Sequence, residues 1–309
     1  MTDHPHDRDL LDVDDLSAEA LTRVLDRAAH LKAETDGTEL PRRTLAMVFQ
    51  KPSTRTRVSF ETGMTQLGGH AIFLGPDDIG LDGREPLKDI ARALSGYADG
   101  VMVRLFDHAD AEELAEYATV PVINGLTDDA HPCQTLADLL TIRETVGFDA
   151  EVAWVGDGNN VAQSLALGCA LAGVDLTVAT PPEYALDEDV LDRAAALGGA
   201  PTVVNDPTSA VADADVVYTD VWVSMGEEDR REEKLAAFEA GGYQVNAELL
   251  AGTDARVMHC LPAHRGEEIT DGVIESDRAL VWRQAENRLH AQKGLLVELL
   301  GADATGNES

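Results

Sequence analysis

The chain is poor in three things, and each scarcity narrows its class. Cysteine occurs three times in 309 residues (Cys133, Cys169 and Cys260), odd in number and widely spaced. That argues against a disulfide framework and suits a reducing compartment. No apolar run approaches the length of a membrane span, and residues 1–10 lack the basic-then-apolar pattern of a signal peptide. The expectation is therefore a cytoplasmic protein. Lysine is the scarcest charge: five residues (Lys32, Lys51, Lys88, Lys234, Lys293), against 57 Asp plus Glu and a formal net charge of −33. Such a balance argues against nucleic acid as a partner. It also makes the surface repel itself unless salt screens it, the Debye length shrinking to roughly 3 Å at 1 M. A salt-loving source organism is the expectation.

What is present is unevenly placed. From Arg42 to Arg104 nine basic residues face seven acidic ones, whereas the rest of the chain carries 15 basic against 50 acidic residues. An acidic protein that must hold an anion has to gather its cations somewhere. They gather around Ser53-Thr54-Arg55-Thr56-Arg57, which follows an apolar strand (44–49) and a Pro52 turn and opens a helix. Unpaired N–H groups of a first helical turn attract phosphate, and Arg55 and Arg57 add forked donors. An ordinary capped helix with solvated arginines would look similar.

Strands and helices alternate along the chain. Helices are predicted at 17–35, 87–97, 109–118 and 135–146, and strands at 71–74, 101–104 and 120–123, with a Gly-, Asp- and Pro-rich loop at 75–86. The alternation restarts with strands at 151–155, 175–179, 202–205, 216–219 and 256–259, and helices at 160–172, 187–197 and 284–300. This predicts an α/β fold of two doubly wound parallel-sheet domains joined by interdomain helices. The expected domains are 1–134, completed by the helix at 284–300, and 147–275. Residues 302–309 read as a disordered tail.

Five further groups carry chemistry. Arg104 ends an apolar strand where α/β sheets bind ligands, although an edge arginine reaching water reads equally well. In Asp128-Asp129-Ala130-His131-Pro132-Cys133-Gln134, Pro132 suits the first helical position, so His131 sits where the helix dipole favours a neutral imidazole, although taken alone the group reads better as a capping histidine and a solvated Gln134. Gly156-Asp157-Gly158-Asn159-Asn160 resembles the start of a dinucleotide fingerprint but lacks the third glycine; its asparagines could instead meet a carboxylate. Asp220 and Ser224, within 218–226, suit an ammonium, although a simple polar turn has the same residues. His259-Cys260-Leu261-Pro262-Ala263-His264 offers metal-ligand types without a fourth ligand, which argues against zinc.

Together, in order and from about Phe49 to Arg288, these groups resemble the transcarbamoylases, the aspartate/ornithine carbamoyltransferase family. Ser53–Arg57 with His131-Pro132-Cys133-Gln134 resembles the carbamoyl-phosphate half; Asp220-Val221-Trp222-Val223-Ser224-Met225-Gly226 and His259-Cys260-Leu261-Pro262 resemble the ornithine-side signatures. The resemblance implies carbamoyl transfer from carbamoyl phosphate to the δ-amine of ornithine, giving citrulline and phosphate, with no metal or organic cofactor. It implies that Ser53, Thr54, Arg55 and Thr56 hold the phosphate and that Arg104, His131 and Thr56 polarise the carbamoyl oxygen. Gln134 would fix the amide, Arg288 would close on it, and Cys260 and the Leu261 carbonyl would face the amine. Asn160 would take the ornithine carboxylate, and Asp220, Ser224 and the Met225 backbone the α-ammonium; Asp220 and Cys260 would manage the amine proton. It further implies domain closure, a cis Leu261–Pro262 bond, and a homotrimer or an assembly of trimers. Gly80 aligns where many relatives carry a glutamine, so the 75–86 loop is given no ligand. Rival readings are a transferase for putrescine or acylated ornithine, a dinucleotide oxidoreductase, and a non-catalytic paralogue.

Overall fold

In the computed structural model, residues 9–80 and 85–301 are described. The first unit comprises residues up to Leu140 together with those from Arg288 onward; the second comprises Thr141–Asn287. Both boundaries fall inside helices.

The first unit begins with α1 (Ala18–Ala33), capped by Ser17, whose Oγ accepts from the Ala20 N–H, and burying Leu21, Val24, Leu25, Ala28 and Leu31 at helical spacing. Strands β1 (Thr44–Phe49), β2 (His70–Leu74), β3 (Gly100–Arg104) and β4 (Val122–Leu126) form an all-parallel sheet in the order β2-β1-β3-β4. Between them run α2 (Thr54–Gln66), the short α3 (Pro76–Ile79), α4 (Leu87–Ser95) and α5 (His108–Tyr117). Helix α6 (Pro132–Thr145) leads into the second unit. There β5 (Glu151–Val155), β6 (Asp175–Ala179), β7 (Thr202–Val204), β8 (Val216–Thr219) and β9 (Arg256–His259) form a second parallel sheet, ordered β7-β6-β5-β8-β9. Its helices are α7 (Asn160–Ala172), α8 (Glu188–Leu197), α9 (Pro207–Val211), α10 (Arg231–Gly241) and α11 (Asp271–Ile274), before α12 (Val281–Leu300) returns to the first unit.

Parallel strands buried on both faces need crossover helices, and the near-continuous apolar runs of β1, β3 and β5 meet that need. Each sheet reverses its direction of growth once, between β1 and β3 in the first and between β5 and β8 in the second. Crevices beyond the carboxyl ends of strands flanking such a reversal are where open α/β sheets bind ligands. The C-terminal part of α12 is locked onto α1 at Gly294, where a Cβ would lie 2.4 Å from the Val24 carbonyl oxygen. Only glycine permits that approach.

Several expectations shift. The strand expected at 120–123 is β4, running two residues later and through Asn124-Gly125; Asn124 stays in a central position because its amide donates to the Leu11 carbonyl and Thr127 Oγ1. The loop expected over 75–86 contains α3, ended by Gly80 at φ 67°; residues 81–84 lie outside the described ones. The tail expected at 302–309 also lies outside them. Helix α10 leaves no mark in the sequence periodicity, since Lys234 and Phe238 are its only buried residues. Helices α6 and α12 start three residues earlier than expected. No described helix is long and apolar enough to cross a membrane.

Candidate active site

The first unit collects its groups at the ends of β1, β3 and β4. Ser53 caps α2: its Oγ accepts from the Thr56 N–H at 3.2 Å and lies 3.1 Å from Thr56 Oγ1. Arg104, at the end of β3, is 8% exposed, and its carbonyl accepts from the Gln50 N–H at 2.8 Å, fixing the chain that leads into α2. Arg288, on α12, donates to Gln134 Oε1 at 2.6 Å and to Thr56 Oγ1 at 3.2 Å. Gln134 in turn donates to buried Asp138 at 2.7 Å, so its amide orientation is set from both ends. His131 is buried beside this group. Burial first, then the positive fields of Arg288, Arg104 and Arg55, hold its pKa well below the ordinary histidine value, leaving a neutral imidazole. The helix dipole invoked from sequence pointed the same way, but lost solvation and guanidinium charge dominate.

The sequence offers Arg55 and Arg57 alike as forked donors beside Ser53–Thr56, and Arg57 departs from that group. It pairs with Glu61 at 2.9 Å one turn along α2, and its guanidinium lies 3.8 Å from the Phe73 ring centroid. The i,i+4 spacing and an aromatic face next door take it elsewhere. Thr54 and Arg55 are exposed at the first turn of α2. Lys51 and Asp138 belong to none of the sequence groups above. Lys51 is buried, pairs with Asp128 and sits 4.4 Å from the Phe106 ring centroid. For Asp138 the signal was available: an acid inside the apolar run Leu136–Leu140 needs a buried donor.

The second unit uses the ends of β5, β8 and β9. Asn159 caps α7, its Oδ1 accepting from the Val161 and Ala162 N–H groups, while its Nδ2 donates to Asp220 Oδ2 at 3.1 Å. Asn160 is the first residue of α7. The other Asp220 oxygen accepts from Cys260 Sγ at 2.9 Å. Thus one carboxylate, 6% exposed, joins three strand ends. Ser224 is half-buried and Met225 is 48% exposed on the turn after β8, where the Ser224 N–H donates to Glu227 at 3.0 Å. The Leu261–Pro262 bond is cis, and Leu261 has φ 61°.

His259 acts beneath Cys260. Its Nδ1 accepts from the Leu261 N–H at 2.9 Å, which makes Nε2 the protonated nitrogen, and Nε2 donates to buried Glu268 at 3.0 Å. Although one ligand atom each from Asp220, His259 and Cys260 lies within 4.8 Å of the others, both imidazole nitrogens are already engaged, so this donor set does not fit a metal. Cys133 and Cys169 are buried, and burial pushes the Cys133 thiol up to about 12; Cys260 is partly accessible.

A cationic half beside one sheet reversal and an acidic half beside the other define a class: a two-unit α/β protein built for a small anion and an amine. The sequence comparisons agree with that class. The family model described as aspartate/ornithine carbamoyltransferase, carbamoyl-P binding domain, matches residues 8–144, and the one described as the Asp/Orn binding domain matches residues 149–299. A protein named ornithine carbamoyltransferase from the halophile Haloquadratum walsbyi is 65% identical over 96% of this chain and 99% of its own. An ornithine carbamoyltransferase named as anabolic, from Pyrococcus furiosus, is 51% identical over 95% of this chain and 96% of its own. The solved structure of ornithine carbamoyltransferase from Pyrococcus furiosus superposes with a TM-score of 0.90, covering 97% of this chain and 98% of that one at 50% identity. The chain belongs to the aspartate/ornithine carbamoyltransferase family.

Proposed function

We propose that this protein is an ornithine carbamoyltransferase, with carbamoyl phosphate bound by the first unit and ornithine by the second. The observation that carries the reading is the buried Arg288–Gln134–Thr56 network beside a neutral His131, a set of donors and one oriented amide suited to a carbamoyl group.

Ser53, Thr54, Arg55 and Thr56, with the N–H groups opening α2, hold the phosphate. Gln134 and Arg288 orient the carbamoyl amide. Asn160 takes the ornithine carboxylate, Asp220, Ser224 and the Met225 backbone take the α-ammonium, and Cys260 with the Leu261 carbonyl faces the δ-amine. An alkylammonium loses its proton near pH 10.4 in water, so the attacking nitrogen must first be freed of it. Asp220 and Cys260, already hydrogen-bonded, are the groups proposed to manage that proton, a departing phosphate oxygen being the other acceptor. Attack forms the C–N bond and collects charge on the carbonyl oxygen, where Arg104 and His131 stabilise it; the C–O bond to phosphate then breaks. The chemistry asks for no metal or organic cofactor, because phosphate is a competent leaving group.

The test is citrulline formation in molar salt with carbamoyl phosphate and, separately, ornithine, putrescine and an N-acylated ornithine. Turnover of ornithine alone supports the reading, and turnover of putrescine in preference to ornithine overturns the assignment of Asn160. A homotrimer or an assembly of trimers, and a cytoplasmic location, complete the proposal; the mass from sedimentation in molar salt and cell fractionation test them.

A further inference from the structure

Lys234 is the only lysine between residues 89 and 292. In a chain with so few lysines, this one is 2% exposed and bound to two carboxylates, donating to Asp157 Oδ2 at 2.7 Å and to Glu227 Oε2 at 2.6 Å. A buried ion pair is weak evidence for stability, because desolvation offsets most of its attraction. Its placement is informative instead. Asp157 lies in the turn after β5, two residues before Asn159, which bonds Asp220. Glu227 closes the turn after β8 by accepting the Ser224 N–H. One ammonium therefore ties together the two loops proposed to receive the amino-acid end of ornithine.

Lys234 is itself held from behind. Its Nζ lies 5.3 Å from the Tyr184 ring centroid. One turn further along α10, Phe238 stacks with Tyr184 at 5.3 Å and with Trp222 at 5.2 Å. Without the ammonium, Asp157 and Glu227 would stand close to each other and to Asp220 as like charges, and the two loops would part.

We propose that Lys234, touching no substrate, is a positioning residue that fixes the spacing of the β5–α7 and post-β8 loops and thereby sets affinity for the amino-acid substrate without affecting the carbamoyl donor. This rests on the function proposed above, and one series of assays separates the two. Wild type, Glu227→Gln, Lys234→Arg and Lys234→Met, all full-length and in molar salt, are compared by initial rates against each substrate at saturating levels of the other. Glu227→Gln is the deciding variant: its side chain is partly exposed, and the amide can still accept from Ser224 while losing the charge that Lys234 holds. The expected result is an ornithine KM raised about tenfold or more, with the carbamoyl-phosphate KM within about twofold of wild type. Lys234→Met should raise the ornithine KM further, and Lys234→Arg should recover most of it. A wild-type enzyme that makes citrulline while Glu227→Gln leaves the ornithine KM unchanged, or raises both KM values equally, overturns the role of Lys234 alone. A wild type that makes no citrulline overturns both proposals.

Discussion

The two half-sites solve opposite electrostatic problems with the same logic. In the first unit burial first, and then the positive fields of Arg288, Arg104 and Arg55, keep His131 neutral. In the second, burial above all pushes the Asp157 carboxyl up to about 6; Lys234 opposes that rise, and the negative charges of Glu227 and Asp220 add to it. Each unit concentrates the charge complementary to its proposed substrate, a dianionic acyl phosphate in one and a diamino acid in the other. Each then contains one titratable group that resists joining the majority sign. The lesson is that preorganised charge is costly to assemble, and that cost appears as displaced proton affinities next to the groups that bind.

The comparison can be broken most severely at Arg55. Arg55→Ala should lower kcat/KM for carbamoyl phosphate by at least about 100-fold with circular dichroism unchanged; near-normal turnover would detach the cationic half from the phosphate. At His131, Leu should cost about 100-fold in kcat and Gln less, since an amide still donates. Asp138→Ala, which frees one end of Gln134, should raise the carbamoyl-phosphate KM about tenfold while leaving the ornithine KM alone.

Proton linkage sharpens the contrast further, with opposite signs in the two units. His131 has a folded-state pKa below its unfolded value, so its contribution to stability is present above about pH 6.5 and is lost as the pH falls. Asp157 has a folded-state pKa above its unfolded value, so its contribution is present below about pH 4 and is lost as the pH rises through about 6. In urea titrations Asp157→Asn should therefore gain stability relative to wild type between about pH 4 and pH 6.5, and a constant difference would contradict the raised carboxyl. The smallest effect is chemical: a thiol reagent should label Cys260 well before Cys133 or Cys169 in the native protein, and the labelling pattern read by mass spectrometry checks it.

Much of this was legible in the chain itself. Strands β5, β6, β8 and β9 and helix α7 stand where the apolar periodicity put them, because core-facing residues must follow the backbone repeat. The segment proposed to hold phosphate is visible in the sequence because a capped helix start, local cations and a preceding strand all lie within a dozen residues. Helix α10 was not visible, and neither were its consequences. Its buried surface is one lysine and one phenylalanine, so no stripe announces it, and the partners of Lys234 lie 77 and seven residues away.

By itself the sequence determined the α/β alternation, the excess of acid, and the identity of the groups available for chemistry, since each of these depends on neighbours in the chain. Tertiary structure decided which of those groups act together. It sent Arg57 to Glu61 and Phe73, brought Arg288 to Gln134 across 154 positions, and joined Asp220 to Cys260 across 40. Hydrogen bonds and charge act over a few ångströms of space whatever the distance along the chain, and only the folded sheets supply that proximity.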